Sequence, residues 1–240
     1  MKVSLFITCL CDMFHPNVGK ATVEILESVG CEVTFPETQT CCGQPAFNSG
    51  YLHQSKQAMK QMITTFDEAD TDYIVGPSGS CVGMLKEYPK IFSGDPEWEK
   101  KAKIIAGKAY ELTQFLVDVL YIEDVGSNFK GIVTYHPSCH MTRILGVHDA
   151  PLKLLNNVKG IELVSLPLSE DCCGFGGTFA IKNADISTEM VAEKSRRVSE
   201  TGAEYLVGGD MACLMNIGGR MEREGKNVQI IHIAEILNEQ

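Results

Sequence analysis

Short apolar segments alternate along the chain with longer segments in which apolar residues recur every three or four positions. The first apolar segment, residues 2–8, predicts a buried β-strand, and the spacing after it predicts a helix from Pro16 to Gly30. Proline in the first turn and glycine just past the end are typical of a helix. The next predicted elements are a strand, a helix and a strand at residues 32–35, 51–66 and 73–75, with a helical segment after Cys81. Strands that alternate with helices predict a parallel sheet in an α/β fold.

The second half of the chain repeats this order of elements. Strand, helix, strand, helix and strand are predicted in turn at residues 131–135, 151–157, 161–164, 186–201 and 205–207. A helix that begins at Pro96 lies between the halves, and residues 231–237 resemble residues 112–120 in pattern. We place the boundary near Ser127-Asn128. The predicted architecture is therefore two tandem duplicated α/β halves with parallel sheets, residues 1–128 and 129–240, packed together.

A cysteine pattern, C…CCG…C, occurs once in each half. Its cysteines are Cys9, Cys41, Cys42 and Cys81 in the first half and Cys139, Cys172, Cys173 and Cys213 in the second. Equivalent positions lie 130 to 132 residues apart, so the match is almost free of gaps. The unpaired cysteines each follow a predicted strand, and functional groups of α/β folds collect in loops at the carboxyl ends of strands. We therefore expect the four cysteines of each half to converge on a metal site in these loops.

Four thiols per half allow several kinds of chemistry. Ordinary buried thiols would not repeat at the same four positions. A disulfide between adjacent cysteines would be strained, because the preferred Cα separation of about 5.5–6 Å exceeds the roughly 3.8 Å between neighbours. A Cys₄ zinc site would be structural, whereas adjacent thiolates suit an iron–sulfur cluster better because they can reach different irons or bridge two. The two halves need not hold the same metal, so zinc in one of them stays an alternative.

Residues beside the cysteines are predicted as supports or as non-ligands. Gly43 and Gly174 follow the paired cysteines, and a glycine backbone can approach a cofactor closely and offer N–H groups to sulfur. Both glycines are therefore predicted to contribute to cofactor binding. Cys11 and Cys31 have no cysteine counterpart in the second half, so both are predicted not to bind metal.

Histidines and arginines offer further candidates. His136 and His140 flank the third of the unpaired cysteines, and histidine can ligate clusters or shuttle protons. Neither histidine has a histidine counterpart at the equivalent position of the first half, so a structural role is favoured for both. Arg143, Arg196 and Arg197 could each bind a carboxylate, but an exposed position is favoured for each. The sequence identifies no catalytic residue.

Composition narrows the class of protein. Apolar residues make up 44% and charged residues 22% of the 240, which is typical of a globular protein, and no run of 18 apolar residues predicts a membrane span. The apolar run at the N-terminus is too short for a signal peptide, which predicts a cytoplasmic protein. Ten cysteines in a cytosolic chain favour metal or redox chemistry over disulfides. The net charge of −10 argues against nucleic acid and anionic membranes as partners. The chain also lacks the GxGxxG fingerprint of dinucleotide binding.

The eight cysteines, with Gly43 and Gly174, resemble the CCG cysteine-rich domain. This domain occurs twice in the cysteine-rich component of heterodisulfide reductase and in related components of glycolate- and succinate-oxidising systems, and the resemblance covers nearly the whole chain. It implies iron–sulfur clusters, one or two of the [4Fe–4S] kind, and a non-cubane cluster where a copy has five cysteines. The family pattern can end in CxxC, but Ser78 and Asp210 stand at the first of those positions here. A conventional cluster, an oxygen ligand from Ser78 or Asp210, and metal in only one copy therefore stay open.

The length of the chain, which holds two copies of the domain and little else, resembles that of the stand-alone lactate utilization members of this family. That resemblance implies oxidation of L-lactate to pyruvate by a three-protein iron–sulfur system, with lactate utilization proteins B and C as partners. Clusters are one-electron carriers, so a pair of sites suits the two electrons that lactate releases. Two alternatives stay open. One is an enzyme that acts on a disulfide, as in heterodisulfide reductase, and the other is a zinc-stabilised component without a redox role.

Overall fold

A computed structural model describes residues 1–239. The first half of the chain folds into a four-stranded sheet with helices packed on it. Its elements are β1 (Lys2–Leu5), α1 (Cys9–Phe14), α2 (Pro16–Ser28), β2 (Glu32–Thr34), α3 (Gln44–Asn48), α4 (Leu52–Glu68), β3 (Tyr73–Gly76), α5 (Gly79–Ile91), α6 (Pro96–Lys108), β4 (Ala109–Glu111) and α7 (Leu112–Gln114). The last helix continues as a π-helical turn, Phe115–Val119.

The second half folds in the same way. Its elements are β5 (Asn128–His136), α8 (Cys139–Arg143), α9 (Ala150–Asn157), β6 (Lys159–Val164), α10 (Phe179–Lys182), α11 (Ala184–Glu200), β7 (Tyr205–Gly208), α12 (Met211–Arg223), β8 (Gln229–His232) and α13 (Ile233–Asn238).

The two sheets share one strand order. The first is β2-β1-β3-β4 and the second is β6-β5-β7-β8. Every neighbouring pair in both sheets is parallel. Because equivalent strands occupy equivalent places, the prediction of an α/β fold built from two tandem duplicated parallel-sheet halves is confirmed.

Most predicted elements occur with small shifts at their ends. The helix predicted from Pro16 to Gly30 is α2, which ends at Ser28, and Gly30 adopts a φ of +86° just beyond it. The strand predicted over residues 2–8 stops at Leu5, since Thr8 already serves as the N-cap of α1. Each half therefore begins with a strand that is followed, after two or three residues, by a helix whose first residue is the first cysteine.

The prediction missed the short elements around the cysteines and the last strand of each sheet. β4 has three residues and lies directly between α6 and α7, so helical spacing on both sides obscures it. The expected helix after Cys81 is α5, but it begins two residues earlier, at Gly79. The unpaired cysteines therefore lie in the first turns of helices, whereas the adjacent pairs lie in loops.

Each half ends in a helix that packs against the other half. Helix α13, at the end of the second half, packs on α2 of the first, and α7 with its π-helical turn packs on α9 of the second. Fully buried residues of one continuous core include Leu26, Leu116, Leu155 and Ile236, which come from both halves. The halves are therefore interleaved through reciprocal exchange of their last helices.

Among the helices of residues 1–239, none combines the length and apolar character that crossing a bilayer requires.

Candidate metal centre

Four cysteines of the first half converge at the carboxyl edge of its sheet. Cys9 is the first residue of α1, Cys41 and Cys42 lie in the loop before α3, and Cys81 lies in the first turn of α5. Their side chains form one chain of contacts, in which Cys41 interacts with Cys9 and with Cys42, and Cys42 interacts with Cys81. The predicted convergence of these four residues is present in the fold.

The second half builds the same arrangement. Cys172 interacts with Cys139 and with Cys173, and Sγ of Cys173 lies 3.0 Å from Sγ of Cys213. Equivalent strands and helices position each member, so the duplication extends from the sequence to the order of contacts among the sulfur atoms.

Both sets of cysteines open into one cavity of about 360 Å³, and all eight line it. The walls also include Pro45 from the first half and Gly177 from the second, where a Cβ on Gly177 would lie 3.6 Å from Cα of Pro45. The hydroxyls of Ser49 and Thr178 hydrogen-bond across the same junction. The two sites therefore share a single chamber between the halves.

One sulfur in each set is held as a thiolate. Hydrogen bonds from Cys42 and Cys9 lower the pKa of Cys41 well below its ordinary value, and hydrogen bonds from Cys139 and Cys173 lower that of Cys172. The thiols of Cys9 and Cys139 have raised pKa values because they donate to these sulfurs and are partly buried. A thiolate supported by neighbouring thiols is the form of cysteine that binds metal.

The glycines after the paired cysteines support these thiolates. Gly43 and Gly174 adopt φ values of +83° and +81°, which side chains disfavour. A Cβ on Gly174 would lie 2.9 Å from the carbonyl oxygen of Ser187, so the loop also packs closely on α11. This turn directs the N–H of Gly174 to Sγ of Cys172 at 3.4 Å, and the N–H of Gly43 bonds to Cys41. Both glycines thus contact the sulfur of an adjacent cysteine through their backbone.

Ser78 and Asp210, which stand at the first CxxC position of the family pattern, cap helices and contact each other. Oγ of Ser78 accepts a hydrogen bond from the N–H of Cys81 at 3.3 Å, and Oδ1 of Asp210 accepts one from the N–H of Ala212 at 3.2 Å. Oδ2 of Asp210 accepts from the hydroxyl of Ser78 at 3.2 Å and from the N–H of Ser80 at 2.9 Å. Their oxygen atoms therefore link the two copies at the cavity wall.

The remaining candidates lie around or away from this cavity. His140 lines it, with Nδ1 3.5 Å from Sγ of Cys139. Cys11 and Cys31 are buried in the core and are not among the cavity-lining residues. The three arginines also lie outside the lining, where Arg196 and Arg197 pair with Glu193 and Arg143 donates to the carbonyl of Glu170.

The surroundings of the two sets differ at two buried positions. His136 in the second half occupies the place of Phe6 in the first, three residues before the unpaired cysteine in each case. Lys194 lies 132 residues after Met62, the same separation as between the last cysteines of the two sets. Its side chain is buried, and Nζ donates to the carbonyls of Leu168 and Ser169 at 3.1 and 3.0 Å. The second site thus has polar neighbours where the first has apolar ones.

His136, for which the sequence favoured a structural role, lies beside two cysteines of the second set. Donor atoms of His136, Cys173 and Cys213 all lie within 4.8 Å of one another. Burial lowers the pKa of His136 to about 3, so its imidazole is neutral. The replacement of an aromatic residue by histidine at equivalent positions was visible in the sequence, but its proximity to the last two cysteines depends on the pairing of β5 with β7.

These donors fit the chemistry of a thiolate-bound metal. Each set offers four sulfur donors at the wall of the shared cavity, and the pKa of one of them is lowered towards the thiolate form. Soft thiolate donors select iron–sulfur clusters or zinc. The residues present are therefore able to hold either kind of centre.

Comparison with known proteins agrees with the duplicated architecture. The family described as a cysteine-rich domain, CCG, matches residues 3–86 and 133–218. Lactate utilization protein A of Oceanobacillus iheyensis is 71% identical over 99% of this chain and 97% of its own length. The proteins of that name from Geobacillus kaustophilus and Bacillus subtilis are 64% and 61% identical, with 99% of each chain covered.

Solved structures show only distant likeness. A putative Asp/Glu racemase from Yersinia pestis aligns over 99% of this chain and 96% of its own with 9% identity and a TM-score of 0.38, which is too low to compare sites. The high identities to the lactate utilization proteins and the two matches to the cysteine-rich domain agree with each other. The chain belongs to the lactate utilization protein A family and carries two copies of the CCG cysteine-rich domain.

Proposed function

We propose that this protein is the iron–sulfur component of a cytoplasmic system that oxidises L-lactate to pyruvate. Relatives that align over 99% of the chain are named for lactate utilization. The observation that carries the redox role is the pair of four-cysteine sets facing one cavity, each with a stabilised thiolate. Lactate utilization proteins B and C are the partners that we infer for this system.

The two sets would hold one or two [4Fe–4S] clusters, with Cys9, Cys41, Cys42 and Cys81 at one site and Cys139, Cys172, Cys173 and Cys213 at the other. Oxidation of lactate to pyruvate releases two electrons and two protons, and bound clusters would supply one-electron redox steps. The N–H groups of Gly43 and Gly174 donate to the sulfurs of Cys41 and Cys172, which stabilises their negative charge. The shared cavity brings both sites into one space.

The first test is anaerobic purification followed by iron, sulfide and zinc analysis and by EPR of the oxidised and reduced protein. We expect several irons per chain, matching sulfide and a redox-dependent signal. Cys42→Ala and Cys173→Ala should each lose cluster absorbance and fail to support growth on lactate, because each removes a buried sulfur at the centre of its set. Cys31→Ala is the matched control, since Cys31 is also buried but lies outside the cavity lining.

Normal iron content and normal growth with both cysteine variants would contradict the proposal. Zinc without sulfide would also contradict it, and would assign the cysteines to a structural role in a component without redox function.

The cavity itself favours a second candidate function. A volume of about 360 Å³ lies within the usual range for small-molecule sites. A disulfide substrate could therefore reach both sets of cysteines, as an enzyme related to heterodisulfide reductase would require. Turnover of small disulfides by the isolated protein with an added reductant would support this alternative.

A further inference from the structure

We propose that His136 is a ligand of the metal at the second site, so that the two sites differ in their donors. The metal at the first site would be bound by sulfur alone, and the metal at the second site by sulfur and one imidazole nitrogen. This inference rests on the proposed function only in requiring a metal at the second site. It holds for iron–sulfur and for zinc alike.

His136 lies beside two of the sulfurs with both of its ring nitrogens unpaired. It ends β5 opposite Gly208 of β7, and its side chain is 1% exposed. Neither Nδ1 nor Nε2 has a hydrogen-bond partner among the described residues. One of its ring nitrogens lies within 4.8 Å of the sulfurs of Cys173 and Cys213, which lie 3.0 Å apart.

An unpartnered imidazole of this kind needs an explanation, because buried polar groups in proteins are almost always hydrogen-bonded. His232 provides a comparison within the same chain. It is 0% exposed, its Nε2 lies 3.1 Å from the carbonyl oxygen of Pro77, and its Nδ1 accepts from the N–H of Ala234 at 3.1 Å. A histidine with a purely structural role therefore has both nitrogens satisfied in this fold, whereas His136 has neither.

The first site lacks this donor. Phe6 occupies the equivalent position, and its ring packs edge-on against Phe66 with centroids 5.7 Å apart. It offers no atom that could bind a metal. The duplication therefore preserved the sulfur ligands in both halves while the neighbouring strand residue diverged between an apolar ring and an imidazole.

The variant His136→Phe places the residue of the first site in the second. Metal-edge X-ray absorption of the anaerobically purified protein should detect imidazole scattering in the wild type, and this contribution should disappear in the variant. For a paramagnetic cluster, pulsed EPR should also detect a nitrogen coupling that changes when the protein is labelled with ¹⁵N-histidine. His140→Phe is the matched control, because His140 lines the cavity beside Cys139, and it should retain the imidazole contribution.

The labelled wild-type protein and His140→Phe keep the inference testable if His136→Phe does not fold. A histidine coupling that persists in His140→Phe would support ligation by His136. An imidazole contribution to the metal-edge spectrum that is absent from the wild type, survives in His136→Phe, or is lost in His140→Phe would overturn it.

Failure of this inference and failure of the proposed function give different results. Iron–sulfur without a histidine nitrogen overturns the inference and leaves the function. Zinc with an imidazole ligand that His136→Phe removes supports the inference and overturns the function. A purified protein that binds no metal overturns both.

Discussion

Equivalent positions of the two halves hold buried ionisable side chains of different type, Glu111 in the first half and His232 in the second. Glu111 and His232 each end the last strand of a sheet and cap the helix that follows. Oε2 of Glu111 accepts from the N–H of Thr113 at 2.8 Å, while Oε1 has no partner among the described residues. Burial raises the pKa of Glu111 to about 7, and burial lowers that of His232 to about 4.

The raised pKa predicts a specific dependence of stability on pH. Folding favours the protonated carboxyl of Glu111, so its contribution is fully present below its ordinary pKa of 4.5 and is lost as pH rises through about 7. Glu111→Gln keeps a neutral hydrogen-bond acceptor at this position. The free energy of unfolding of the variant, relative to that of the wild type, should therefore increase as pH rises through this window. A rise in pKa from 4.5 to about 7 limits the gain to roughly 3 kcal/mol. Urea denaturation of both proteins between pH 4.5 and 8 measures it.

The comparison with the wild type isolates Glu111 from the buried histidines. His136 and His232 have lowered pKa values, so their contributions change in the opposite direction as pH rises, but they are common to both proteins and cancel. Glu162→Gln, at an exposed position, controls for removal of a negative charge. A constant difference between Glu111→Gln and the wild type over this range would show that Glu111 is not held neutral by burial.

The sequence predicted candidate site residues where they repeat in both halves, and did not where a residue occurs in one half alone. The eight cysteines could be chosen because the pattern occurs twice at nearly constant separation. The relation of His136 to Cys173 and Cys213 could not be predicted, because it depends on how far β5 extends beside β7. Repetition singled out the candidate ligands, whereas the place of an unrepeated residue such as His136 depends on the register of the sheet.

The two halves meet at the site through the first turns of their helices. α5 of the first half packs on α8 of the second, and α1 of the first packs on α12 of the second. The N–H of Gly79, at the start of α5, donates to the carbonyl of Gly209 at 3.3 Å. These contacts bring together the first turns of the helices that carry Cys9, Cys81, Cys139 and Cys213.

The closeness of α5 and α8 predicts that Gly79→Ala destabilises the protein. A Cβ at this position would lie 2.7 Å from Cβ of Met141 and 3.2 Å from its Cα, so α8 would have to move. Overpacking of this kind costs about 1–3 kcal/mol of the free energy of unfolding. Urea denaturation measures the loss, and the iron content of the purified variant reports whether the cysteines of both halves still converge.

Gly83→Ala is the control within the same helix. Its Cβ would meet Cγ2 of Ile144 at 3.5 Å, an ordinary contact. Alanine is the better helix former, so we expect Gly83→Ala to be neutral or stabilising by up to about 1 kcal/mol. Equal stability changes for the two variants would mean that the contact between α5 and α8 does not limit the packing.

Longer elements were predictable because their spacing is sustained, and the shortest were not. The helix beginning at Pro16 and those at residues 52–68 and 184–200 span several turns and were predicted within a few residues. β4, α1 and α8 span only three to six residues, too few to establish a period. Their conformation is fixed by the neighbouring strands and by packing across the halves.

The whole molecule is held together by the reciprocal exchange of last helices. We infer that the sequence repeat divides near residue 128, because β5 begins at Asn128 and each sheet is complete on its own side. The folded units do not divide there, since α13 packs on α2 and α7 packs on α9. The pattern shared by residues 112–120 and 231–237 indicated equivalent helices, but their exchange could not be predicted because it is set by long-range packing.

This exchange predicts that the chain unfolds as one cooperative unit. Ile236 in α13 is fully buried in the core shared by both halves, so Ile236→Ala should cost about 2–5 kcal/mol. Trp98 is the one tryptophan of the chain and lies in α6 of the first half, so its fluorescence reports that half alone. We expect the urea midpoints from Trp98 fluorescence and from far-UV circular dichroism to fall together.

The control is Ile186→Ala, since Ile186 is 57% exposed and its loss should leave both midpoints nearly unchanged. Ile236 belongs to the second half of the sequence, whereas the tryptophan belongs to the first. A change in Ile236→Ala that shifts the circular dichroism but not the fluorescence midpoint would therefore show two independent folding units. A common shift would show that the two halves unfold together, as expected because α13 packs on α2 of the first half and α7 packs on α9 of the second.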